Sequence, residues 1–190
     1  NYEHPLKELY DMLLTFVKKR PELANKAWDI IRSNLESATS DNLLGVCKEA
    51  MGVIAEYEPE LAVPMWHTIK SHLLSPKSGN LLQSTSSLIC DIAGIEPSLS
   101  EDIFDTVKTY MESVYGTDDS FTEYYQIISR LVDVNPKLTD KVVKVARNHL
   151  QSGKRMTKEL LEYINNTLCL CMINDRQCID EVFDLINNIS

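Results

Sequence analysis

Long apolar runs are missing from this chain. None approaches the ~18 residues that a bilayer-spanning helix needs, and no basic-then-apolar leader opens the sequence. Positive charge is in deficit as well, with 19 Lys and Arg against 28 Asp and Glu. The net charge is −9, which disfavours nucleic acid as the main ligand, because neutralising phosphates requires clustered Lys and Arg. Five cysteines, an odd number without framework spacing, argue against a disulfide scaffold and for a reduced, intracellular, cytoplasmic setting. The four histidines, His4, His67, His72 and His149, offer no His–Cys or His–Asp spacing for a nucleophile and its base. His72 and His149 even share one position of the repeat described below, so they do not converge. The expectation is a protein without catalytic function and without a cofactor.

What remains is an ordinary globular composition, 44% hydrophobic and 25% charged, with enough apolar residues for a continuous core. The first residue is Asn1 and not Met, so further chain is expected upstream. Within the sequence one pattern recurs. Pro59-Glu60-Leu61 leads through Trp66, Ile69, Lys70 and Leu73 to Ser75. Pro21 leads likewise through Trp28, Ile31, Arg32 and Leu35 to Ser37. Pro97 leads through Phe104, Val107, Lys108 and Met111 to Ser113, and Pro136 through Val143, Ala146, Arg147 and Leu150 to Ser152. The four prolines are 38, 38 and 39 residues apart. A fixed period in this range marks a stacked-repeat architecture.

Each Pro suits a first helical turn, where its missing N–H costs nothing. The apolar positions behind it have helical spacing. A second helix follows each polar loop, over 41–57, 79–95, 120–134 and 157–173. Counted back from the next Pro, Leu44, Leu82 and Phe121 are equivalent, as are Met51, Ile89 and Ile128, then Ile54, Ile92 and Leu131. Arg176 stands in for the fifth Pro and places Leu161, Ile164, Leu168 and Cys171 on the same rows. Ser120 with Glu123 is expected to form a capping box, with Thr157 and Ser78 as single caps. The sequence thus divides into a half repeat (1–20), full repeats 21–58, 59–96, 97–135 and 136–175, and a half repeat (176–190). About nine helices and no strand are expected, in one domain spanning 1–190. Leu185 and Ile189 are expected on an outward face beside Val182 and Ile186, as in a segment of a longer stack or one that a partner covers.

The run Pro-Glu-Leu-Ala-Val-Pro-Met-Trp, with Leu81-Leu82, Ser87-Leu88-Ile89 and Ile92-Ala93-Gly94 after the loop, resembles a HEAT repeat of the HEAT/armadillo class. The loop Asp and early second-helix Arg of that family are replaced here by Ser78, Gly79 and Gln83. The resemblance implies a right-handed α-solenoid of antiparallel helix pairs. It also implies a scaffold or adaptor that binds proteins on a concave face lined by the second helices, while some members of the class bind nucleic acid.

Most candidate chemistry has a packing explanation. Cys169, Cys171 and Cys178 offer three soft metal ligands, yet Cys171 and Cys178 sit on apolar rows, where free Cys packs as a small hydrophobe. Cys47 does the same. Trp28 and Trp66 share a row with Phe104, Val143 and Phe183, and a row that accepts Val is core. Residues 81–120 carry eight acids against Lys108, and 121–155 carry seven bases against three acids. Asp102 and Lys141 share one repeat position and Asp105 and Lys144 another, so cross-helix pairs of about 0–1 kcal/mol each account for the asymmetry. The bases Arg32, Lys70, Lys108 and Arg147 suit helix C-terminal turns.

The exposed side of the second helices is the expected ligand surface. Its rows read Tyr10, Lys48, Ser86, Tyr125, Asn165; Asp11, Glu49, Ser87, Gln126, Asn166; and Lys18, Glu56, Gly94, Asp133, Asp175. The candidate partner-binding residues are Lys48, Glu49, Glu56, Ser86, Ser87, Tyr125, Gln126, Asp133, Asn165 and Asn166. Amides, hydroxyls and acids suit a protein partner, a basic peptide segment or helix steered by the mild acidity. A merely solvated face is the competing reading. Two other functions stay open: nucleic-acid binding through Lys137, Lys141, Lys144, Lys154, Arg155 and Lys158, and a purely structural segment of a large assembly.

Overall fold

A computed structural model describes residues 3–37, 42–75, 81–113, 118–152 and 156–187. Ser78, Gly79, Lys154, Arg155 and Ile189, named above, lie outside the described residues. Ten α-helices are present and no strand occurs among the described residues. They are α1 (Glu3–Lys19), α2 (Ala24–Ser37), α3 (Asn42–Tyr57), α4 (Ala62–Leu73), α5 (Leu81–Ile95), α6 (Ser100–Ser113), α7 (Asp118–Val134), α8 (Thr139–Leu150), α9 (Lys158–Asn174) and α10 (Ile179–Asn187). The expected count of nine was one short. Each half repeat adds a helix of its own to the eight of the full repeats, and α10 is a separate element because its own turn starts it.

Pro21, Pro59, Pro97 and Pro136 each open a three-residue 3₁₀ turn that runs directly into the next α-helix. The physical cause lies one residue earlier. A residue before Pro is pushed out of the helical region, and Arg20, Glu58 and Asn135 are extended with φ of −142°, −132° and −140°. Each second helix therefore stops before its Pro, and the Pro restarts the chain at an angle. Asp175, ahead of Arg176, adopts φ −140° without any proline. Its carboxylate accepts a hydrogen bond from the Gln177 N–H at 2.9 Å, as the Asn135 side chain accepts from the Lys137 N–H at 3.3 Å. An Asx cap thus replaces the steric effect of proline. Asp175→Ala is expected to cost about 1 kcal/mol, read as a lower urea midpoint at unchanged slope.

The Thr157 cap forms: its hydroxyl accepts from the Leu160 N–H at 3.2 Å. Ser120, expected to open α7, lies instead inside its first turn, because the helix already starts at Asp118.

The chain forms two compact units, Asn1–Leu99 and Ser100–Ser190. In the first, α3 lies between α1 and α5, and α2 and α4 pack beneath them. In the second, α7 lies against α9, while α6, α8 and α10 form the other layer. Trp28, Trp66, Phe104 and Val143 are all buried, as are Cys47, Cys171 and Cys178. Phe183, on the same row as the tryptophans, is 54% exposed. Leu185, expected on the outward face, is buried, and Arg147 of α8 pairs with Glu181 of α10.

Small residues set the spacing of the upper layer in the first unit. A Cβ added at Gly45 of α3 would lie 3.2 Å from the Cβ of Ser84 on α5. Farther along the same helix face, at Gly52, the nearest atom would be Asp91 Oδ2 at 3.8 Å. The two helices therefore touch near Gly45 and leave room at Gly52.

Candidate functional site

That room is the floor of a groove with a volume of about 460 Å³. Three parallel-lying second helices build it: α1 supplies Leu14 and Lys18, α3 supplies Lys48, Glu49, Gly52, Val53 and Glu56, and α5 supplies Ser87, Leu88 and Asp91. The apolar lining comes from Leu14, Val53 and Leu88. The rim is ionic, two lysines against three carboxylates. Lys18, Glu49, Glu56 and Asp91 are exposed at this rim. An apolar floor with a charged rim is the composition of a surface that docks an amphipathic segment.

Four of the ten expected residues converge here: Lys48, Glu49, Glu56 and Ser87. Ser86 does not; it is buried. Tyr125, in the second unit, is fully buried. Its hydroxyl lies 3.3 Å from His149 Nδ1, and its ring stacks on the His149 imidazole with centroids 5.8 Å apart. Burial, with nearby Tyr124 as a second cause, pushes the Tyr125 phenol far above its ordinary pKa. Tyr10, on the same row, is likewise buried, and Asn34 Nδ2 donates to its hydroxyl at 3.3 Å. The row read as exposed is therefore largely core. Tyr10 and Tyr125 each meet a polar residue thirteen positions after the following Pro, Asn34 or His149, which accommodates the phenol.

The remaining expected residues belong to the second unit. Gln126 Nε2 donates to the Tyr163 hydroxyl at 2.9 Å across α7 and α9, and Asp133 pairs with Arg130 at 2.7 Å. Asn166 is exposed, and Asn165 is half-buried with an Oδ1 that accepts no hydrogen bond among the described residues. These side chains are engaged in helix packing or stand singly on a surface. The third row also needs correction: the register places Ile173 there, 78% exposed, and not Asp175. Leu14, Gly52, Val53, Leu88 and Asp91 were not among the expected partner-binding residues. The glycines seven residues apart in α3 were the available signal, because Gly on one helix face marks a close approach or a gap.

The described members of the basic cluster are partly neutralised. Lys141 lies 3.8 Å from Asp105 and over the Phe104 ring at 5.8 Å, and Lys158 lies 3.7 Å from Glu162. Among the described residues, no group of three or more His, Cys, Asp or Glu side chains could hold a metal ion, and no helix is long and apolar enough to cross a membrane. Burial pushes the thiols of Cys47 and Cys171 up to about 12. Both stay protonated at pH 8, when the exposed Cys169 is accessible. A thiol reagent at pH 8 is expected to modify Cys169 at once and to reach Cys47 and Cys171 only on unfolding. The raised folded-state values also predict a loss of stability with rising pH, beginning near the unfolded thiol value of 9.0 and complete at about 12, since the unfolded chain releases these protons first.

No family model matches the chain, and no curated protein or solved structure matches it.

Proposed function

We propose that this chain is a HEAT-like, right-handed α-solenoid and acts as a non-enzymatic protein-interaction scaffold. Its working surface is the groove on α1, α3 and α5, the concave side in such a stack. The single observation that carries this reading is the groove itself: an apolar floor opened by Gly52 under a rim of Lys18, Lys48, Glu49, Glu56 and Asp91. The occupant that fits is a short protein segment with one apolar side chain for the floor and basic residues for Glu49, Glu56 and Asp91. The two lysines restrict how the segment lies, because a purely cationic peptide would be repelled at one edge.

Peptide display against the folded chain tests the proposal. Selected peptides are expected to combine Lys or Arg with a single large apolar residue. Glu49→Lys with Glu56→Lys should weaken their binding by roughly 10-fold or more and abolish its salt dependence. Selection of peptides whose affinity the double reversal leaves unchanged would dismiss the groove as the binding surface.

A further inference from the structure

The solvent side of each second helix lies three, six, ten and thirteen residues before its turn, and no residue at these positions is buried. Even α3, which has α1 and α5 on its two flanks, shows Glu56, Val53, Glu49 and Val46 there. Neighbouring helices in the layer therefore leave this side open. In α1, α5 and α7 the same positions hold no apolar side chain. In α9 they hold Ile173, Leu170, Asn166 and Tyr163, without a charge among them. Ile173 is the most exposed of the large hydrophobic residues described.

With Glu159, these residues form one straight stripe, spaced four, three, four and three along about 21 Å of α9. Alternation of three and four is the seam of a helix pair. On its inner side α9 already buries a first stripe of Leu160, Ile164, Leu168 and Cys171. A helix with apolar stripes on two sides is the kind that is covered on both. Gln126 Nε2 of α7 donates to the Tyr163 hydroxyl at 2.9 Å and fixes the ring in the stripe. Arg130 and Asp133 of α7 neutralise each other. One turn before Gln126 and Tyr163 come Glu123 and Glu159, which pair with no base among the described residues.

We propose that α9 is a second interaction surface, which takes an amphipathic helix of a partner protein laid antiparallel along Tyr163, Asn166, Leu170 and Ile173. The partner helix carries apolar residues at alternating intervals of three and four, starting against Ile173 and Leu170. Its last turn lies over the acidic end of the stripe. A Lys or Arg there is favoured by the dipole of its own helix and by Glu159 and Glu123. Asn166 asks for an amide or hydroxyl opposite it, which sets the register at a cost in affinity. An extended segment fits less well, because its side chains recur on one face every ~7 Å, against ~5 Å along the stripe. Every residue of this surface belongs to the unit Ser100–Ser190.

Display of helical peptides of about 20 residues, with one face randomised, tests this against the whole chain. Selected helices should carry Leu or Ile at three-and-four spacing and a base in the last turn. Ile173→Glu changes an exposed side chain, so the unfolding midpoint should hold while affinity falls by roughly tenfold or more. Glu159→Lys should weaken the base-bearing helices by up to about fivefold, and a peptide with Glu in that turn should regain the loss. Glu49→Lys with Glu56→Lys should leave these helices bound, which separates this surface from the groove on α1, α3 and α5. Three results overturn the proposal. They are the absence of the three-and-four pattern among selected peptides, binding that Ile173→Glu leaves intact, and self-association of the chain that Ile173→Glu abolishes, which makes a second copy the occupant. Failure here leaves the groove reading standing, and the converse holds.

Discussion

Trp66→Ala is expected to lower the unfolding free energy by about 3–5 kcal/mol, whereas Phe183→Ala should cost less than about 1 kcal/mol. Both side chains stand seven residues after the start of their turns, so the sequence pattern alone treats them as equals. The structure separates them: Trp66 is fully buried in the first unit and Phe183 is half in water. A buried indole loses its transfer energy and leaves a cavity when truncated, while an exposed ring loses little of either. Urea titration gives both numbers. Equal costs would mean that the row does not mark the core.

Gly45→Leu and Gly52→Leu form the second contrast, seven residues apart on one face of α3. At Gly45 the first added carbon already lies 3.2 Å from Ser84 Cβ, so a Leu forces α5 away, at about 1–3 kcal/mol. At Gly52 the nearest neighbour is a carboxylate oxygen at 3.8 Å, and the gain in helix propensity makes the change neutral or stabilising by up to about 1 kcal/mol. The same Leu fills the groove floor, so peptide binding should fall by about tenfold or more in a protein at least as stable as the parent. Stability and binding then move in opposite directions, which a general disturbance of α3 would not produce.

Much of the helix order was legible because its cause is local. The prolines at 38- and 39-residue intervals end one helix and start the next, and the repeat register located Arg176 as an equivalent site even though an Asx cap, not a pyrrolidine ring, does the work there. The tryptophan row and the buried cysteines followed from the same register. Less legible was the border between core and surface. Position eleven before each turn lies at the edge of the apolar stripe, and its fate depends on the opposing helix. Tyr10 and Tyr125 turn inwards to Asn34 and His149, while Lys48 stays at the groove rim. Such choices depend on side chains more than twenty residues away and are invisible to periodicity. The groove floor was missed for a related reason. Gly52 contributes by what it leaves empty, and a pattern of apolar and polar residues records only what is present.

The account rests on the groove of α1, α3 and α5 as the ligand surface, and amide chemical-shift mapping of the labelled chain with a display-selected peptide tests that claim most directly. The predicted result is a set of perturbations centred on Lys18, Lys48, Gly52, Glu56 and Ser87 that disappears in Gly52→Trp. Perturbations centred on α2 and α4, or a pattern that Gly52→Trp leaves intact, would contradict it.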